Sequence, residues 1–223
     1  MTPSTGSLVG ASLLAISNCG RSEQARSHAK TGRAFTLIEL LAVIAVIGIL
    51  AAILIPTVGS ARTSAKKAKV KVLFSQWSTA MEQFKQEYGY YPKVDNGTGK
   101  IVAACFAGAL TGKRLDSSAA TPAELCGNTR LISFYTLSDG ELDAARTAVV
   151  DSFGNREIAV LYDKNADGRI TTTDGIAVAV LGEAGAFTPD TTDLNLAAGV
   201  RAGVIFYSAG KGDTATDLIF SWK

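Results

Sequence analysis

The 223-residue chain holds one histidine, three cysteines and five prolines, and charged residues make up only 19% of it. Each shortage excludes something. The histidine, His28, lies in a basic N-terminal stretch expected to be removed, so neither a Ser-His-Asp triad nor His-ligated zinc is available to the remainder. Cys19, Cys105 and Cys126 show neither Cys-x-x-Cys nor zinc spacing, so a metal-thiolate centre is unsupported. The 22 basic and 20 acidic residues leave a net charge of +2, too even for a protein built around nucleic acid, and no nucleic-acid partner is expected. With 47% apolar residues, a wholly disordered chain is excluded as well.

What the chain does have is one long apolar block. From Phe35 to Ile55 it reads FTLIELLAVIAVIGILAAILI, with Glu39 as its one ionisable residue. At about 1.5 Å per helical residue, such a block spans roughly the 30 Å of a bilayer's hydrocarbon core. It shows no polar face, as a buried core helix of that length would. Four basic residues before it (Arg21, Arg26, Lys30, Arg33) are matched by Arg62, Lys66, Lys67, Lys69 and Lys71 after it, so charge counting does not orient the span. The run exceeds a usual secretory signal core and no small-residue cleavage site follows it, so it is expected to be retained.

Glu39 is the costly residue of the block. A carboxylate inside an apolar helix costs about 2.5 to 3.5 kcal/mol on insertion scales unless something pairs with it. The string Arg33-Ala34-Phe35-Thr36-Leu37-Ile38-Glu39-Leu40-Leu41, the apolar run after it and Pro56 resemble the N-terminal signature of type IV prepilins and type II secretion pseudopilins. The resemblance implies a membrane peptidase that cuts between Ala34 and Phe35, methylation of the new Phe35 amine, and retention of the helix as anchor and filament core. It further implies that Glu39 meets the Phe35 amine of a neighbouring subunit, which fits the rule that a buried carboxylate is tolerated beside a cation. Pro56 matches the family's helix-kinking proline and removes one backbone donor. The chain departs from the family in having Ala34 rather than glycine before the cut, and in a leader of 34 residues.

Beyond Pro56 the apolar positions Val70, Leu73, Phe74, Trp77, Ala80, Met81, Phe84 and Tyr88 advance in steps of three, four and one, tracing one stripe of a helix. Gly89 and Pro92 follow as stop signals, so one helix is expected from Phe35 to Tyr88, its outer stripe covered by a head. The stripe is read as core rather than ligand groove, and the basic run Lys66 to Lys71 as a solvated face near a membrane. The expected organisation is a leader over 1–34, a long helix over 35–90 with 35–58 in the membrane, and a head over 91–223.

Within the head, ELDAARTAVV has weak helical character, and four strands are expected at Glu157–Tyr162, Gly175–Leu181, Ala202–Tyr207 and Asp217–Trp222 from their Val, Ile, Phe and Tyr content. The fold class is α+β: a pilin-like long helix on an antiparallel sheet. DSFGN at 151–155 is similar to the Asp-Pro-Trp-Gly-Asn turn of major pseudopilins, and VIFYSAGKGDTATDLIFSW to their closing segment. Cys105 and Cys126 either pair, restricting the loop between them, or stay as two buried thiols.

Two loops are candidate calcium sites. Asp163-Lys164-Asn165-Ala166-Asp167-Gly168-Arg169-Ile170 through Asp174 follows an EF-type pattern, with oxygen side chains of Asp163, Asn165, Asp167 and Asp174 at loop positions one, three, five and twelve and glycine at six. A hydrated hairpin turn explains the same residues. The second loop, Ser208 to Asp217, offers Asp213 and Asp217; two acids are a thin ligand set that a plain turn explains equally well, and the resemblance implies calcium there. No other cofactor is expected.

The expected function is non-enzymatic: a pseudopilin of a type II secretion system, single-pass in a bacterial inner membrane with a periplasmic head. Its implied partners are itself and other pseudopilins, the prepilin peptidase, an inner-membrane assembly platform and membrane lipid. A type IV pilus subunit for adhesion, motility or DNA uptake, and a membrane-anchored calcium-binding ectodomain, are the alternatives.

Overall fold

The computed structural model describes residues 35–175, 177–182, 187–212 and 217–222, with Pro56 by its main chain alone. The leader residues, including Ala34, Cys19 and His28, and Asp213 of the second loop lie outside the described residues.

Helix α1 runs from Leu37 to Tyr88, 52 residues. It begins where Thr36 and Glu39 cap one another and ends at Gly89, whose N–H donates to the Lys85 carbonyl at 2.8 Å. Gly89 has φ +82°, a left-handed backbone that closes helices readily only without a Cβ. The chain divides into two compact units, 1–49 and 50–223. Of the first, residues 35–49 are described, and every one of them is exposed.

In the second unit the expected stripe is the buried face of α1. Val70, Leu73, Phe74, Trp77, Ala80, Met81 and Phe84 are all buried, and Tyr88 packs at the margin of the same core. Helix α2, Ala103–Thr111, buries Phe106 and Leu110 beside them, with the Trp77 and Phe106 rings edge to face at 4.8 Å.

Among the described residues the sheet has three antiparallel strands in the order β1 (Ile158–Tyr162), β2 (Val204–Ser208) and β3 (Ile219–Phe220). Ile158 pairs Ser208, Tyr162 pairs Val204, and Tyr207 pairs Phe220. Side chains alternate between faces: Ile158, Val160, Tyr162, Val204 and Phe206 face the helical core, whereas Ala159, Leu161, Ile205 and Tyr207 join a second core with Ile170, Ala179, Leu181 and Leu194. The sheet is therefore buried on both faces.

Two sequence expectations fail here. Among its described residues, Gly175–Leu181 forms no strand; only Leu181 makes an isolated bridge, to Phe187. The free edge of β1 is already taken, because the Gly99 carbonyl accepts the Val160 N–H at 2.9 Å and the Ile101 N–H donates to the Ile158 carbonyl at 3.0 Å. The 177–179 backbone instead passes over Gly99, where a Cβ would meet the Ala177 carbonyl oxygen at 2.3 Å. Nor is ELDAARTAVV helical. The Asp143 carboxylate accepts the N–H groups of Thr147 at 2.6 Å and Ala148 at 2.8 Å, so a local side-chain turn replaces the helical ladder.

Candidate functional site

The N-terminal motif is built as a reciprocal cap. Glu39 Oε2 accepts the Thr36 N–H at 2.9 Å and the Thr36 hydroxyl at 2.8 Å, and Thr36 Oγ1 accepts the Glu39 N–H at 3.3 Å. This satisfies donors that a helix start leaves open. Sequence reasoning sought a partner for Glu39 outside the chain and passed over the one three residues away, although Thr-x-x-Glu spacing signals it. Oε1 has no part in this cap, so the carboxylate retains an acceptor for a cation. Beyond it, α1 is long and apolar enough to cross a membrane, and that window has no buried residue.

In the head, the 151–155 turn and the segment that begins at Val204 meet. Asp151, 1% exposed, accepts the Ser208 hydroxyl at 2.7 Å through Oδ2, while its Oδ1 accepts the N–H groups of Phe153 at 2.8 Å and Asn155 at 3.0 Å. Asn155 Nδ2 donates to the Gly210 carbonyl at 3.4 Å. Burial pushes the Asp151 carboxyl above its usual range, opposed by these hydrogen bonds and by the charge of Lys66. Lys66 of α1 also stands over the Phe153 ring at 5.3 Å. Of the second candidate calcium loop, Ser208–Gly212 and Asp217 are described.

The loop after β1 is fully described. Asp163 Oδ2 accepts the Gly168 N–H at 2.8 Å, Asn165 Oδ1 the Asp167 N–H at 3.0 Å, and Asp167 Oδ1 the Arg169 N–H at 2.8 Å. Asp174 folds back on the loop start: Oδ1 accepts the Lys164 and Asn165 N–H groups at 3.0 and 3.3 Å, and Oδ2 the Thr171 N–H at 2.7 Å. Burial raises the Asp174 carboxyl pKa, but these bonds together outweigh it and hold it below the usual range. Among the described residues no group of three His, Cys, Asp or Glu side chains is placed to hold a metal.

Comparison with known proteins fits this geometry. A family model described as a prokaryotic N-terminal methylation motif matches residues 30–55, which include the Thr36–Glu39 cap and the apolar run. The chain is also 31% identical over 72 residues to type II secretion system core protein G of Escherichia coli (strain K12). The chain is pseudopilin-like. The likeness is to structural subunits, not enzymes. The match covers 32% of this chain, which spans about half the length of that relative. No solved structure matches.

Two further features of the head involve residues that sequence reasoning left open or missed. Cys105 of α2 and Cys126 form a disulfide with their Cα atoms 5.3 Å apart. Glu141, 7% exposed, accepts the Trp77 indole N–H at 3.2 Å and the Tyr135 hydroxyl at 2.9 Å. Burial and the Glu141 charge push the Tyr135 hydroxyl above its usual range. The Trp77 and Tyr135 partners, 64 and 6 residues away, follow from no spacing rule, but the Ser138-x-x-Glu141 spacing does signal the capping box in which Glu141 Oε1 accepts the Ser138 N–H at 3.2 Å and the Ser138 hydroxyl.

Proposed function

We propose that this chain is a filament subunit, a pseudopilin of a type II secretion system, cut between Ala34 and Phe35 by a membrane prepilin peptidase and methylated on the Phe35 amine. It sits single-pass in the inner membrane with its head in the periplasm, and polymerises through α1 with itself and related subunits on an inner-membrane platform. The observation that carries this reading is the Thr36–Glu39 cap at the head of an apolar helix with no buried residue in its span. An apolar helix of this kind is stable in lipid or against copies of itself, and a carboxylate at its start suits a neighbouring ammonium group. The similarity to core protein G supports a secretion pseudopilus over a surface pilus.

Two variants test the pairing. Glu39→Gln keeps an oxygen to accept from Thr36 but removes the charge, whereas Thr36→Val removes the two hydroxyl bonds of the cap, leaves the backbone N–H bond and keeps the charge. The expected result is that Glu39→Gln blocks polymer formation in membranes and Thr36→Val does so less. Wild-type polymer from Glu39→Gln would overturn the charge-pairing role. Intact mass tests processing: the material should lack 34 residues and carry one added methyl.

A further inference from the structure

The loop from Asp163 to Asp174 is not absorbed by filament assembly. It joins the end of β1 to the short 3-10 turn Thr172–Asp174, and it carries three aspartates. Asp163 is 2% exposed, and its Oδ1 is buried with no hydrogen-bond partner. Native structures rarely leave a buried carboxylate oxygen unmatched, and such an atom calls for an ion or a water. The other oxygen of the same carboxylate accepts the Gly168 N–H across the loop, so the side chain is aimed into the turn rather than away from it.

The basic side chains of the loop do not neutralise it. Lys164 Nζ lies over the Tyr162 ring at 5.5 Å, and Arg169 Nη1 donates to the Ala198 carbonyl at 2.9 Å. No ion pair reaches Asp163, Asp167 or Asp174 among the described residues. The backbone follows the sharp turn that a calcium loop needs: Gly168, at position six, has φ +83°, and Ala166 has φ +60°.

We propose that this loop binds one calcium ion through Asp163 Oδ1, the carboxylate of Asp167, the side-chain oxygen of Asn165 and main-chain carbonyl oxygen, with Asp174 as the latch that holds the loop closed. Two carboxylates and neutral oxygens form a hard, all-oxygen set, which suits Ca²⁺ and offers no nitrogen or sulfur to zinc. Among the described residues no three carboxylates converge here: each oxygen of Asp174 already accepts two hydrogen bonds, whereas Asp167 Oδ1 accepts the Arg169 N–H and Oδ2 the Asn165 amide, one each, which leaves lone pairs for the ion. Low ligand charge places the affinity in the range of extracellular modules, a Kd of about 0.1 to 1 mM. The Asp163 N–H donates to the Gly203 carbonyl at 2.8 Å, and a Cβ on Gly203 would meet Glu82 of α1 at 2.0 Å and the Tyr91 hydroxyl at 2.2 Å. An ion at Asp163 therefore braces the point where β1 and β2 meet the helix. The site stands whether or not the chain polymerises.

The test is calorimetric titration of the full chain in detergent micelles with calcium chloride, paired with thermal melting in calcium and in chelator. The expected result is calcium uptake and a midpoint raised by roughly 5 °C at 5 mM calcium. Asp167→Asn, at an exposed position, should remove one equivalent or weaken it at least tenfold while leaving the midpoint in chelator unchanged. Asp163→Asn should do the same to binding. Absence of uptake by the unaltered chain would overturn the proposal. So would retention of every equivalent in both variants, which would move the ion to the Ser208–Asp217 loop.

Discussion

Asp151 and Ser208, 57 residues apart, share a buried hydrogen bond of 2.7 Å that fastens the 151–155 turn to the end of β2. Asp151 accepts from three donors at once, so it organises both segments.

Replacing Asp151 separates its roles as acceptor and as acid. Asp151→Ala leaves the Ser208 hydroxyl and two backbone N–H groups without their acceptor, and should cost roughly 2 to 4 kcal/mol. Asp151→Asn keeps an oxygen for the N–H groups and should be close to neutral at pH 7. Because burial raises this carboxyl above its ordinary value of 3.8, the folded chain holds the proton more tightly than the unfolded one. Stability from this group therefore rises as pH falls through the folded pKa towards 3.8, and that gain is absent at higher pH. Urea unfolding across a pH series should show the rise in the unaltered chain and a flatter curve in Asp151→Asn; a steeper curve in the variant would contradict the assignment.

Gly108→Ala sets helix propensity against packing. In an open helix interior, alanine is favoured over glycine by about 1 kcal/mol. In α2 the added methyl would lie 2.0 Å from the Glu124 carbonyl oxygen and 2.7 Å from its carbon, backbone atoms that cannot rotate aside. Packing should win, with a net loss of about 1 to 3 kcal/mol in chemical denaturation. A more stable variant would mean that the 124–126 segment yields.

The Cys105–Cys126 bond closes a loop with a sequence separation of 21. On chain-entropy grounds, Cys105→Ala with Cys126→Ala should lower stability by about 3 kcal/mol. Thiol counting of the unfolded chain without reductant checks the bond itself: two more free thiols than expected would rule it out.

Legibility followed chemistry that repeats. The helix to Tyr88 and its stripe were readable because apolar residues recur at helical spacing from Val70 to Phe84, and all of those are buried. The three observed strands fall within segments rich in Val, Ile, Phe and Tyr. Helix α2 carried no such signal: AACFAGALT has no polar face, and its preceding residue, Val102, makes no side-chain cap. The Val and Ile content of Gly175–Leu181 looked like a strand, but whether an edge is free for it depends on where Gly99–Ile101 lies. Of the candidate site, Glu39 and the oxygen spacing of the 163–174 loop were legible, whereas the Asp151–Ser208 and Glu141–Trp77 contacts join distant positions and leave no local mark.

The sheet's borders have a consequence for growth. One border is occupied by residues 99–101, and the other is β3, two residues long. Among the described residues, neither offers the unpaired N–H and C=O row on which strand-to-strand aggregation propagates. Sheet extension between copies thus has at most a two-residue edge to build on, which disfavours fusion of neighbouring heads into amyloid-like ribbons.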